Sequence, residues 1–205
     1  DQFRRYLVLF QNPAELRPTG GFTGTYGQLT IDDGEVKELT IDSIYNPANQ
    51  AKTVVKDPAP LPINRTSTEN LNEPMQWLMQ DANWDPDFAK TAERYQNYYE
   101  KSGGPSTDGV IALTATPIIE ILKVVGPVEL PEASQTVSAD SFYATVASYQ
   151  QSNAVAGNDP KGLLRDFAPK LMEKVRQAPA DQQQRIRQIM SDSLKGRDVQ
   201  LFFTN

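Results

Sequence analysis

The chain has 205 residues, with 20 Lys and Arg against 26 Asp and Glu, a net charge of -6, and neither Cys nor His. An apolar fraction of 39% excludes wholesale disorder, no run reaches the roughly 18 apolar residues of a membrane-spanning helix, and the acidic balance speaks against nucleic acid as a partner. Disulfides, thiolate metal sites, thiol nucleophiles and imidazole bases are all excluded, so any chemistry must run on carboxylates, Arg and Lys, hydroxyls, backbone amides or a hard cation.

The run from Arg5 to Phe10 is too short for a stable helix and ends at Gln11-Asn12-Pro13, which predicts a buried first strand. Thr23 to Ile31 and Glu35 to Ile44 alternate in part, and Asp32-Asp33-Gly34 between them is a turn signal, so the two form a hairpin. The stretch from about 46 to 74 carries five prolines and little periodicity, the pattern of a long irregular connection, a lid or a groove wall. A helix is predicted from Asp85 as N-cap and Pro86 at the first helical position, through Phe88, Ala92, Tyr95 and Tyr99 to the stop at Ser102-Gly103-Gly104-Pro105.

Val110 to Thr114 reads as a second central strand feeding a helix from Thr116-Pro117 that ends at Gly126-Pro127. Ser138 is the expected cap of the next helix, with Phe142, Val146 and Tyr149 on it, and Gly157-Asn158-Asp159-Pro160 breaks the chain before another from about Lys161. Pro169 is expected to kink or split that helix. A last helix from about Ala180 to Lys195, ended by Gly196, leads into a terminal strand at Val199 to Phe203. Strands at both ends favour one α/β domain over 1–205, a mixed central sheet with an early hairpin flanked by helices.

Four of the twelve glycines fall in the segment from Glu15 to Gly27, together with Arg17. Glycines permit close backbone approach, and successive amides beside a guanidinium suit a phosphate or carboxylate. Arg17 would be the clamp, with the Gly20 and Gly21 amides as a nest. The alternative is a tight corner between strands, with Arg17 paired to an acid. The segment has neither a P-loop ending nor the helix of a dinucleotide fingerprint. Asp81, Asn83, Asp85 and Asp87 supply oxygen for Mg²⁺ or Ca²⁺, with Asp81 and Asp87 the candidate ligands, although Asp85 and Asp87 also suit a helix start. Asp108 before the second central strand is a candidate catalytic acid, or a turn residue. Arg65 in the irregular segment is a candidate for an anionic ligand. Tyr95, Tyr98 and Tyr99 read as a helix face half in the core.

The motifs ELRPTGGF (15–22), DANWDPDF (81–88), DGVIAL (108–113), VVGPVEL (124–130) and the terminal DVQLFF (198–203) together resemble the bacterial family DUF4012, over most of the chain. That resemblance implies a membrane-anchored, extracytoplasmic protein whose N-terminal anchor lies outside the given sequence. The order of elements is also distantly similar to the LytR-CpsA-Psr cell-wall proteins, which transfer polyprenyl-pyrophosphate-linked glycopolymers to peptidoglycan using arginines, acids and Mg²⁺ around a lipid-accommodating core. The family position matching Gln80 is usually Arg, which leaves Arg17 and Arg65 as the cations for a diphosphate here. The function so implied is handling or transfer of polyprenyl-(di)phosphate-linked glycopolymers. In it Arg17 and Gly20-Gly21 neutralise the diphosphate, Asp81 and Asp87 hold Mg²⁺, and Asp108 activates an acceptor hydroxyl. The alternative is a noncatalytic envelope module binding a glycan, lipid or protein.

Overall fold

The computed structural model describes residues 3–46 and 79–204; the connection predicted at 46–74, and Arg65 within it, fall almost wholly outside the described residues. Five strands form one mixed sheet in the order β3-β2-β1-β4-β7: β1 (Arg4–Asn12), β2 (Phe22–Asp32), β3 (Glu35–Ser43), β4 (Gly109–Leu113) and β7 (Val199–Phe203). Among these strands only β1 and β4 are parallel, with α1 (Phe88–Lys101) between them in the chain. Asp33 (φ 50°) and Gly34 (φ 80°) make a two-residue turn with both central residues left-handed, the geometry that matches strand twist and that Asp-Gly adopts readily.

Successive residues of a strand point to opposite sides, and here both sides are apolar. Leu7, Leu9, Tyr26, Val110 and Ala112 are buried against α1, whose Ala92, Tyr95, Tyr98 and Tyr99 complete a packed layer. All three tyrosines are buried there, more deeply than a half-exposed face would require. Val8, Phe10, Leu29, Ile111 and Leu113 point the other way, toward α2 (Ala115–Val125), α3 (Phe142–Val155), α4 (Gly162–Gln177) and α5 (Ala180–Gly196).

Several boundaries differ from the sequence reading for local reasons. Asp87, not Asp85, caps α1 by accepting from the Ala89 amide, while Asp85 turns the chain just before by accepting from the Asp87 amide. Thr114 caps α2, which begins at Ala115, one residue ahead of the predicted start. Ser141 stands at the N-cap of α3, its hydroxyl 2.9 Å from that of Ser138. Pro169 does not split α4, which runs unbroken on both sides of it. The last helix passes through Gly196 and stops at Arg197, itself left-handed at φ 63°. The hairpin of β5 (Val128–Leu130) and β6 (Gln135–Val137) has no counterpart in the sequence reading, since three-residue strands carry too little alternation to detect.

Candidate functional site

The glycine-rich segment is the corner between β1 and β2, at the C-terminal end of β1. Gly21 sits at φ +135°, where a Cβ would lie 2.1 Å from the Asn12 carbonyl oxygen, so no larger residue fits. The Gly20 amide donates to the Arg17 carbonyl and the Phe22 amide to the Glu15 carbonyl. Gly20 and Gly21 therefore shape a close crossing, and the Gly20 amide turns inward rather than toward a ligand.

Arg17 behaves differently from a paired surface cation. Its guanidinium lies between two rings, 5.1 Å from the centroid of Phe22 and 4.4 Å from that of Trp84. Cation–π contacts of this kind hold the plane of the group and leave its edge for hydrogen bonding. Nη1 donates to the adjoining Leu16 carbonyl at 2.9 Å, while the buried Nε has no partner among the described residues. Trp84 comes from a short 3-10 stretch, Met79–Trp84, whose Asn83 Nδ2 donates to the Gly21 carbonyl at 2.7 Å. The acidic motif thus docks onto the glycine corner through Asn83 and Trp84.

Around this junction, Gln80 Oε1, Asn83 Oδ1 and Trp84 Nε1, besides Arg17 Nε, are buried without partners among the described residues, while the Thr23 and Tyr95 hydroxyls face each other. Burial pushes the Tyr95 hydroxyl far up from its ordinary titration range, and the Asp81 carboxylate adds to the shift, while Thr23 and Arg17 oppose it. Tyr95 is therefore a neutral donor at any working pH. Unpartnered buried polar groups are costly, on the order of 1–3 kcal/mol each, and a concentration of them marks a place shaped for a polar guest or water. Sequence reasoning named Arg17 and Asp81 here but missed Phe22, Thr23, Trp84 and Tyr95. Trp84, inside the acidic motif, was the available signal.

The other predicted residues divide. Asp81 is almost fully buried beside this junction. Asp87 is exposed and spends Oδ1 on its own helix. Among the described residues there is no group of three or more Asp or Glu that could hold a metal ion. Asp108 lies at the opposite end of the parallel pair, because it precedes β4 whereas Arg17 comes after β1. There the Arg5 amide donates to it at 2.8 Å and Arg4 pairs with it at 2.9 Å, which together hold its carboxyl below the usual range. Asp108 fastens the start of β4 to β1 and does not share a hollow with Arg17.

On the far side of the sheet lies a cavity of about 480 Å³ with no charged residue in its walls among the described residues. Val8, Phe10, Ile111 and Leu113 floor it, and Ile118, Ile121, Phe167 and Leu171 roof it. Four of its polar wall residues, Gln11, Asn12, Thr25 and Thr114, gather at the C-terminal ends of β1 and β4, where Phe10 pairs with both Thr25 and Leu113. A register shift between Phe10 and Gln11 breaks the alternation there, and Gln11 and Asn12 join Phe10 in the wall. Gln11 also donates to Thr19 Oγ1 at 3.0 Å, and its Oε1 is buried without a partner among the described residues. One residue thus belongs both to the cavity and to the corner that carries Arg17.

A mixed sheet with helices on both sides, one side hollow and apolar, and an aromatic-held arginine at the strand ends define a three-layered α/β domain with a hydrophobic chamber. The chain belongs to the family described as protein of unknown function DUF4012, whose profile matches residues 1–150. No curated protein matches it. Among solved structures it is similar to protein gbs0355 from Streptococcus agalactiae, with a TM-score of 0.57 at 10% identity, over 98% of this chain and 68% of that one. It is also similar to the transcriptional regulator yvhJ from Bacillus subtilis, at a TM-score of 0.40 and 12% identity, over 97% and 70% of the two chains. The likeness to gbs0355 is one of fold. Among the described residues no helix is long and apolar enough to cross a membrane.

Proposed function

We propose that this domain binds a lipid-linked phosphate at the bacterial cell envelope, with the hydrocarbon chain in the cavity and the phosphate at the Arg17 corner. The observation that carries the proposal is the uncharged cavity whose polar end is tied through Gln11 to the arginine-bearing loop. Its volume of about 480 Å³ lies within the range of small-molecule sites, and walls of Ile, Leu, Val and Phe suit a guest that has no hydrogen bonds to offer. Each methylene that leaves water contributes about 0.8 kcal/mol, so the chain supplies affinity and the phosphate supplies orientation. Arg17, held flat by Phe22 and Trp84, offers its unpartnered edge to phosphate oxygens.

Within that reading, polyprenyl-(di)phosphate-linked glycopolymers destined for peptidoglycan are the substrate class we favour, and binding without turnover is the better-supported mode. Asp108, the candidate activating acid, is bound to Arg4 and the Arg5 amide at the other end of the sheet. No step is assigned to Mg²⁺.

Calorimetry with farnesyl diphosphate, farnesol and inorganic pyrophosphate separates the two halves of the site. The proposal expects Arg17→Ala to weaken farnesyl diphosphate at least tenfold, about 1.4 kcal/mol, with farnesol unaffected. Ile118→Trp, which fills the cavity, should remove both lipids. Equal binding of all three compounds by both variants and the unaltered chain would overturn it, as would no binding at all. Phosphate release that requires Mg²⁺ would restore the transferase reading over the binding module.

A further inference from the structure

The cavity walls are unequal in how firmly they are held. The helices α2 and α4 are held by side chains buried in the core, including Leu122, Leu163 and Phe167. Of α3 only Phe142, its first residue, is buried. Tyr143 nevertheless lines the cavity while remaining 52% exposed, so at that point the wall is one side chain thick. Val146 and Gln150, one and two turns further along, line it too.

Among the described residues, nothing directional ties α3 to its neighbours. Between Asp140 and Asp159 the sequence carries no charged residue, so the helix can form no ion pair. Asn153 donates only to the Tyr149 carbonyl within the same helix, and the Ser141 bonds go to Ser138 just ahead of it. The helix rests on Phe142 against Phe167 (ring centroids 5.8 Å apart), on Val146 and on Tyr149. Its far end leaves Val155 86% exposed, and the chain beyond passes through Gly157 at φ +70°. Anchors resume directly afterwards, where Asp159 pairs with Arg165 and accepts from the Lys161 amide, and Lys161 itself is buried.

We infer that α3 is the gate of the cavity: it pivots on the Phe142 end, swings its Val155 end away from α4, and admits the hydrocarbon chain past Val146 and Gln150. The inference rests on the proposal that the cavity takes such a chain. Apolar packing is non-directional, so a helix held by it alone can move without stranding a hydrogen bond or a charge. The absence of charge on α3 has the same consequence in the open position, where its inner face meets solvent or lipid. Low-stability segments of this kind are where lids are found.

The chain has no cysteine, so paired spin labels attach only where placed. Labels at Val155→Cys on α3 and Thr40→Cys on β3 read the gate, and labels at Thr40→Cys and Gln184→Cys on α5 read the frame; all three positions are exposed. Loading with farnesyl diphosphate is monitored by native mass spectrometry on the same samples. The inference expects the gate distance to shift or broaden by about 5 Å, one helical pitch, while the frame distance stays fixed. Loaded protein with both distances unchanged overturns the gate and leaves the chain-binding proposal standing. Equal changes in both pairs also overturn it, since the frame would then be moving as a whole. Failure to load overturns the chain-binding proposal, and the gate with it.

Discussion

The two sides of the central sheet are built from neighbouring residues of the same strands, yet one is solid and the other hollow. On the α1 side, Leu7, Leu9, Tyr26, Val110 and Ala112 meet a helix that presents three buried tyrosines, and aromatic bulk fills the layer. On the other side, Val8, Phe10, Ile111 and Leu113 face helices that stand off far enough to leave about 480 Å³. Close packing is the rule for interiors, so a large apolar void costs stability and persists where something else gains from it. The polar orphan atoms gather on the solid side, at the strand ends, where Arg17 is stacked. In the proposed binding mode, hydrocarbon and phosphate would be accommodated by different layers that meet at the end of β1.

The sharpest way to break this comparison is to change volume on each side. Leu9→Ala removes a fully buried side chain from the solid layer and should cost about 3 kcal/mol, read as a fall in the urea midpoint. Ala112→Leu overpacks the same layer and should cost about 1–3 kcal/mol. Ala168→Leu, into the cavity wall, should be neutral or stabilising and should weaken lipid binding. Equal penalties for Ala112→Leu and Ala168→Leu would mean that the two sides are packed alike.

Arg17→Ala should cost about 1–2 kcal/mol of stability through its two ring contacts, and the loss of diphosphate affinity should exceed that of Phe22→Leu. Lys161 tests an anchor of the gate. Burial lowers its pKa, so its charged form is disfavoured in the folded state below the unfolded value near 10.4. Lys161→Met should therefore raise the melting temperature at neutral pH, with the gain shrinking as pH rises through the lowered pKa and vanishing above the unfolded one.

The smallest effect belongs to Asp108. Its pKa is lowered by the Arg5 amide and by Arg4, so its stabilisation is present above the unfolded carboxylate value and is lost as pH falls through the folded one. The pair is partly exposed, and Asp108→Asn should cost no more than about 1 kcal/mol at pH 7 and less as pH falls.

Much of the fold was legible because each element is announced locally. The Asp33-Gly34 turn, the apolar first and last strands and the Gly126-Pro127 stop are short-range signals, and the structure honours them. Helix starts moved by a residue or more because Thr, Ser and Asp crowd each boundary, and only geometry chooses among them. The site was half legible. Arg17 and the motif that carries Asp81 do come together, through Trp84 and Asn83. Asp108 stands apart from them because, in a parallel pair, the residue before one strand and the loop after its neighbour lie at opposite ends of the sheet. The cavity had no signature, since both sides of β1 and β4 read as continuous apolar runs and hollowness depends on helices distant in sequence.

The central claim is that the hollow side of the sheet, not the solid one, receives the hydrocarbon chain. Methyl-resolved NMR of Ile, Leu and Val side chains during titration with farnesyl diphosphate tests this directly. Saturable shifts are predicted at Val8, Ile111, Leu113, Ile118 and Ile121, with Leu7, Leu9 and Val110 unmoved. Shifts centred on Leu7, Leu9 and Val110, or no methyl shifts despite binding, would contradict it.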